Sequence, residues 1–190
     1  GWRARPGGGL FVLEQPGRSL LCRDLLGGKL ASGNILEPRL SWDAKRVVFS
    51  YSKCTKDDPF YHIYEMSIDG SSLRQLTSGE FEDLMPSYLP DGGIIFSSTR
   101  RQGHARCFGG QFGPRWHVYT LHRMDADGSN IRTLSFHETN EWFPTVAPSG
   151  HILYSRWDYV DRHPVLHQNL WACRPDGTNP VALWGNHTET

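Results

Sequence analysis

A twelve-residue pattern centred on Asp-Gly occurs three times in the sequence. It reads MSIDGSSLRQLT from Met66, MDADGSNIRTLS from Met124 and CRPDGTNPVALW from Cys173. The first two copies are identical at six positions, and all three keep a leucine seven residues after the aspartate. Because a chain that repeats itself folds each copy into the same small unit, the pattern limits the possible folds to repeat architectures.

A second pattern precedes each Asp-Gly copy. It reads PRLSWDAKRVVFS from Pro38, PSYLPDGGIIFSS from Pro86 and PTVAPSGHILYSR from Pro144. Each copy places a turn ahead of a short run of β-branched and aromatic residues, which predicts a hairpin. Similar runs flank the Asp-Gly turns. Each repeat therefore reads strand, turn, strand, loop, strand, turn, strand, and a shorter copy, LFVLEQPGRSLLCRDLL, occupies residues 10–26.

These units predict an all-β fold, a β-propeller built from four-stranded antiparallel blades. The proline that begins each unit recurs after 48 and then 58 residues, a spacing typical of propeller repeats. The apolar residues alternate with a period of two, which argues against helical repeats. An immunoglobulin-like sandwich would leave the internal similarity unexplained. We expect one partial propeller domain over residues 1–190, with a half blade at 10–26, blades at about 37–77, 83–135 and 141–184, and a further blade starting at 185–190.

The number of predicted blades bears on whether the chain can close into a propeller by itself. Propellers close with about four to eight blades, and three and a half are visible here. We therefore expect the chain to be part of a larger propeller and to aggregate or oligomerise when expressed alone, because its end blades would expose strand edges and apolar faces.

Composition excludes several classes of partner. Twenty basic and twenty acidic residues cancel, so no net field favours nucleic acid or an anionic membrane. No apolar run reaches the ~18 residues that a membrane span requires. The four cysteines contain no C-x-x-C pair, which argues against a disulfide framework and against a zinc ribbon.

The loops of the predicted blades divide unequally between the two faces of the propeller. The first-to-second and third-to-fourth turns are all tight, and we call their side the turn face. The opposite side, the loop-rich face, has the second-to-third loops 51–61, 101–117 and 157–168 and the blade connections 78–85 and 136–142. Because long loops on a rigid scaffold concentrate function, we expect ligand or partner contacts on the loop-rich face.

Potential metal ligands are concentrated in these loops. Imidazole, thiolate and carboxylate groups from neighbouring blades could together bind zinc or another divalent ion. The candidates are His104, Cys107, His117, Asp158, Asp161, His163 and His167, with Cys54, Asp57 and Asp58 in the adjacent blade. The alternative is a set of polar surface loops satisfied by water, because the spacings match no compact metal motif.

Other residues of the loop-rich face are candidates for contact with a protein or small-molecule ligand. They are Arg100, Arg101, Arg115, His137, Glu138, Glu141 and Arg162. Glu138 and Glu141 could form an acid–base pair or lie in a solvated blade connection. The repeat alignment predicts instead that His122, Cys173 and Cys22 pack in the interior.

The repeats resemble a known family. IYEMSIDGSSLRQLT and LPDGGIIFSSTR resemble the TolB-type (PD40) propeller repeat. The longer run from YTLHRMDADGSNIRTLSFHETNEWFP through GHILYSRWDYVDR to NLWACRPDGTNP resembles the middle-domain family of the hydrazine synthase alpha subunit. The resemblance covers most of the chain from about residue 8 and implies an exported, periplasmic or extracellular, six-bladed propeller within a larger protein.

Three functions remain open at this stage. The first is a scaffold or binding domain of a larger bacterial protein, which the absence of G-x-S-x-G, H-E-x-x-H and P-loop motifs favours. The second is the propeller domain of a haem- or metal-dependent oxidoreductase, which the resemblance implies. Covalent haem needs a C-x-x-C-H site, and the sequence has none, so no cofactor beyond a divalent metal is indicated. The third is the regulatory propeller of a serine peptidase.

Overall fold

The computed structural model describes residues 5–104, 117–158 and 168–185, and all regular elements among them are β-strands. The half blade pairs β1 (Phe11–Leu13) with β2 (Cys22–Asp24). Blade 1 consists of β3 (Asn34–Leu40), β4 (Arg46–Ser52), β5 (His62–Ser67) and β6 (Arg74–Gln75). Blade 2 consists of β7 (Asp83–Tyr88), β8 (Ile94–Ser98), β9 (Thr120–Met124) and β10 (Arg132–Thr133). Blade 3 consists of β11 (Glu141–Val146), β12 (Ile152–Trp157), β13 (Gln168–Cys173) and β14 (Val181–Trp184).

Each blade is a four-stranded sheet in which neighbours in sequence are hydrogen-bonded neighbours in space. All pairs are antiparallel. The tight turns of the sequence produce this meander, because two strands joined by a short turn can pair only in opposite directions. The predicted all-β fold of four-stranded antiparallel blades is confirmed.

The first strand of every blade has an irregularity at the same place. The register shifts within β3, β7 and β11 at residues Glu37, Met85 and Phe143, each of which has a φ between 53° and 59°. A proline follows each of them, at Pro38, Pro86 and Pro144. Because proline has no N–H to donate, the ladder cannot continue regularly there, and a bulge forms.

The apolar core lies between blades. Val48, Ile63 and Leu76 of blade 1 are buried in one cluster with blade 2 residues, which include Ile94 and Phe96. The corresponding blade 2 residues, Ile95, Leu121 and Leu134, are buried in a second cluster with Ile152, Tyr154 and Cys173 of blade 3. A third cluster joins the half blade to blade 1. A blade is too thin to bury its own faces, so its stability depends on stacking.

The glycines of the Asp-Gly turns also contribute to blade stacking. Gly70, Gly128 and Gly177 have φ of 84° to 90°, a region that side chains disfavour. A Cβ on Gly128 would lie 2.6 Å from the carbonyl oxygen of Leu76, which directly follows the fourth strand of the preceding blade, and a Cβ on Gly177 would meet Leu134 in the equivalent way. The repeated glycine therefore permits close approach between blades as well as the turn itself.

Paired hydrogen bonds join consecutive blades near the loop-rich face. The Tyr61 N–H donates to Glu82 at 2.9 Å, and the Asp83 N–H donates to the Tyr61 carbonyl at 2.9 Å. One repeat later, the Tyr119 N–H donates to Asn140 at 3.0 Å, and the Glu141 N–H donates to the Tyr119 carbonyl at 2.8 Å. These bonds hold the starts of β7 and β11 against the residue that precedes the third strand of the blade before.

The interior placements predicted from the alignment are correct for His122 and Cys173 and wrong for Cys22. His122 and Cys173 are buried, and burial lowers the pKa of His122 and raises that of Cys173 to about 12. Cys22 is exposed, because every residue of the short edge strand β2 faces solvent.

Candidate functional site

The strand bounds place the long connections on one face of the described blades. The second-to-third connections span residues 53–61, 99–119 and 158–167, whereas the first-to-second turns span 41–45, 89–93 and 147–151. In an antiparallel meander, alternate connections lie at opposite ends of the sheet. The loop-rich face thus contains the ends of all three long loops.

Two predicted metal ligands are neighbours at the base of the second of these loops. The Val118 N–H donates to the Gly103 carbonyl at 2.9 Å. One residue further into the loop on each side, the rings of His104 and His117 lie edge to face with their centres 5.3 Å apart. We call this pair the histidine clip.

Asp158, another predicted ligand, is held by other side chains. Its carboxylate accepts from Arg156 Nε at 2.8 Å and Asn169 Nδ2 at 3.2 Å, and its Oδ1 lies 3.2 Å from His137 Nε2. Burial alone would raise the pKa of Asp158, but the His137 and Asn169 hydrogen bonds and the Arg156 charge outweigh it, and the pKa is about 2. The carboxylate is therefore ionised. Its partners are Arg156 and Asn169 of blade 3 and His137 in the connection between blades 2 and 3.

The same network has the outline of a catalytic triad. His137 contacts Asp158 through Nε2, and its Nδ1 lies 2.8 Å from the Thr139 hydroxyl. The Thr139 side chain is buried, however, and its hydroxyl donates to the carbonyl oxygen of Trp157. A nucleophile must be able to reach its substrate, so this arrangement orders the blade connection and does not supply an attacking hydroxyl.

Glu138 and Glu141 occupy different environments. Glu138 is exposed, whereas Glu141 is buried and accepts a hydrogen bond from the Ser135 hydroxyl. Burial raises the pKa of Glu141. Glu141 begins the first strand of blade 3 and accepts hydrogen bonds from residues of blade 2, so it lies buried at the interface between the two blades.

The two adjacent arginines at the end of β8 also differ. Arg100 forms a bidentate ion pair with the buried Asp83. The guanidinium of Arg101 instead donates to the His137 carbonyl at 2.7 Å and lies over the Phe136 ring at 5.8 Å. Arg100 is thus part of the scaffold, whereas the half-buried Arg101 lies against the exposed Phe136.

One polar residue of this region was missed by the sequence reasoning. His62 is buried, its Nε2 lies 3.4 Å from Asp58 Oδ1, and Asp58 also pairs with Lys53 at 2.9 Å. The available signal was the repeat alignment, in which His62, Thr120 and Asn169 occupy one position and are all buried. Cys54 lies nearby and donates to the Ser52 carbonyl, and Asp57 is exposed.

Several predicted residues lie outside the described residues: Cys107, Arg115, Asp161, Arg162, His163 and His167. Among residues 5–104, 117–158 and 168–185, no three His, Cys, Asp or Glu side chains converge as a metal cluster would require. Of the predicted metal set, the structure brings together His104 and His117 and directs Asp158 elsewhere.

A cleft of about 260 Å³ opens at the other end of the first strands. It is lined by residues from the ends of β3, β7 and β11, including Arg39, Trp42, Tyr88 and Thr145. These residues lie next to the tight turns, so this cleft belongs to the turn face.

The fold consists of β-propeller blades, and comparisons with known proteins agree. The fold resembles that of hydrazine synthase from Kuenenia stuttgartiensis with a TM-score of 0.72 and 20% identity, over 89% of this chain and 27% of that one. It resembles a putative TolB from Agrobacterium tumefaciens with a TM-score of 0.62 and 24% identity, over 86% of this chain and 52% of that one. At these identities the likeness concerns the fold alone.

Sequence comparison gives a more limited result. An uncharacterized protein of Agrobacterium fabrum is 30% identical over 101 residues, which are 53% of this chain and 30% of that protein. No family model matches the sequence. The chain thus spans less than a third of this relative and of the hydrazine synthase chain. Within the described ranges, no helix is long and apolar enough to cross a membrane.

Proposed function

We propose that the chain is a scaffold domain of a larger exported protein and binds a protein or small-molecule partner through its loop-rich face. The observation that carries this proposal is the contact between Arg101 and Phe136. Phe136 is 71% exposed although it is a large aromatic residue. Arg101 holds its guanidinium over the ring and is itself anchored to the His137 carbonyl.

This pair has the chemistry of a binding hot spot. Aromatic residues and arginine are enriched where interfaces derive most of their affinity. Because Arg101 is already held by its hydrogen bond, a partner would order little additional side-chain motion on binding. The neighbouring Glu138 is exposed and would contribute to a polar rim. The half-buried Arg100, paired with the buried Asp83, and the buried Glu141 support this surface from beneath.

The oxidoreductase alternative has weaker support. It rests on likeness to hydrazine synthase at 20% identity, and the sequence lacks the C-x-x-C-H attachment site for haem. The periplasmic or extracellular location proposed here rests on the TolB-type fold.

A site-specific cross-linker tests the binding face. A photoreactive phenylalanine analogue placed at position 136 of the full-length protein, in its own cells, should give a discrete adduct. The same analogue at His151, an exposed residue beside a turn on the turn face, is the matched control. Arg101→Ala should weaken the adduct without lowering the melting temperature appreciably, since Arg101 pairs with no buried charge among the described residues.

Two results would contradict the proposal. One is the absence of an adduct at position 136, and the other is an equal adduct at position 151. Identifying the adduct by mass spectrometry then distinguishes a protein partner from another domain of the same chain.

A further inference from the structure

The histidine clip results from the way the long loop of blade 2 is closed at its base. The Gly103–Val118 hydrogen bond joins the two sides of the loop. The residues that follow on each side, His104 and His117, must then face each other, although they are 13 residues apart in the sequence. Their rings contact edge to face at 71°.

One nitrogen of this pair is buried without a partner. His117 Nδ1 is inaccessible to solvent and has no hydrogen-bond partner in the part of the chain that the structure describes. A buried polar atom left without a hydrogen-bond partner destabilises the folded state. Such a cost is tolerated at positions where a ligand compensates for it.

The separation of the rings is compatible with a shared metal ion. Two imidazoles bound to one tetrahedral zinc, with Zn–N bonds of about 2.0–2.1 Å, have ring centres roughly 5 Å apart. The observed separation is 5.3 Å. Direct ring contact also occurs at such distances, but it leaves the buried Nδ1 of His117 without a partner, whereas a bound metal ion would satisfy it.

We propose that His104 and His117 bind a divalent transition-metal ion on the loop-rich face. Imidazole is a ligand for zinc, nickel and copper, and it does not suit magnesium or calcium. Two protein ligands leave coordination positions open for water or for a donor group of a partner. The site goes beyond the binding face proposed above, because metal binding does not require the partner.

The surroundings predict a site of moderate affinity. Arg101 lies beside Gly103, so its positive charge is close to the clip, although its Nη1 is bound to the His137 carbonyl. Asp158, which could have neutralised the ion, is committed to Arg156, His137 and Asn169. A nitrogen-only donor set favours copper over zinc and nickel in affinity.

Calorimetric titration of the protein with zinc and with nickel at pH 8, where ordinary imidazole is neutral, tests the site. We expect one equivalent of metal per chain. His104→Ala and His117→Ala should each weaken binding at least about tenfold, the smallest loss typical even for a supporting residue. His151→Ala, which removes an exposed histidine of the turn face, should leave the affinity unchanged.

A spectroscopic measurement separates metal ligation from loss of structure. Electron paramagnetic resonance of the copper-loaded protein should show two imidazole nitrogens, and either single variant should show fewer. His104→Gln and His117→Asn keep a polar side chain at each position, and the melting temperature of each variant monitors folding. The absence of saturable binding, or binding that survives either substitution at full affinity, would overturn the proposal.

Discussion

Arg100 and Asp83 form a bidentate ion pair beneath the loop-rich face, with Nε–Oδ1 at 2.9 Å and Nη2–Oδ2 at 2.7 Å. Asp83 begins the first strand of blade 2, and Arg100 follows the second strand. The Ser98 hydroxyl donates to the same carboxylate at 2.7 Å. The pair thus clamps the first hairpin of blade 2 at its open end.

Removing one member of this pair should be strongly destabilising. Arg100→Ala leaves the Asp83 carboxylate buried and unpaired, and the free energy of unfolding should fall by about 3–5 kcal/mol. Arg101→Ala, one residue away, removes an arginine that pairs with no buried carboxylate in the described part of the chain, and it should cost less than about 1 kcal/mol. Urea denaturation of the two variants measures the difference. Equal stability of the two would show that the ion pair is not a structural element.

Alanine substitutions at two glycines with similar φ distinguish the backbone strain of a turn glycine from its close contact with the preceding blade. Gly128→Ala would place a methyl group against the Leu76 carbonyl and also strain a φ of 90°. Gly92→Ala would strain a φ of 87° in open space. Strain alone costs roughly 1–2 kcal/mol, so Gly92→Ala should lose about that much and Gly128→Ala clearly more. Denaturation midpoints compare them, and equal losses would mean that the blade contact adjusts without cost.

Acid should weaken the fold through Asp158. Its pKa is about 2 in the folded state and 3.8 in its ordinary state. A depressed pKa stabilises the fold above the ordinary value, and that contribution is lost as the pH falls from about 4 towards 2. The loss is of order 2 kcal/mol. In thermal melts between pH 2 and 6, Asp158→Asn should be less stable than the natural protein above pH 4, and the difference should shrink below it.

The outer face of blade 3 should contact a further blade in the full-length protein. Leu170 and Leu183 are 40% and 53% exposed here. They occupy the repeat positions of Ile63 and Leu76 in blade 1 and of Leu121 and Leu134 in blade 2, which are buried between blades.

Leu170→Asp in the full-length protein should therefore lower its melting temperature, because a buried carboxylate replaces an apolar contact. Leu20→Asp changes a residue that is 92% exposed and lies in the half blade, and it should have little effect. If both variants melt like the natural protein, blade 3 is an end blade.

Much of the fold follows from local sequence signals. The Asp-Gly turns and the alternating apolar runs predicted the hairpins, because turn chemistry and strand alternation act between residues close in sequence. The threefold repetition then indicated the propeller, since identical blades bury their faces only by stacking. Cys22 was misplaced because it lies in the short edge strand β2, whose residues are all exposed.

The site depended on contacts that no local pattern records. Three contacts depend on the geometry of blade edges and loop bases. Arg100 pairs with Asp83, Asp158 pairs with His137, and His104 contacts His117. The same holds for the contact of Gly128 with the Leu76 carbonyl, which the turn signal alone did not reveal. The sequence by itself determined the blade, because a blade is made of neighbours along the chain. The tertiary structure alone decided which polar side chains satisfy one another and which remain available, because those partners lie many residues apart in the sequence and meet only when the strands and blades are in place.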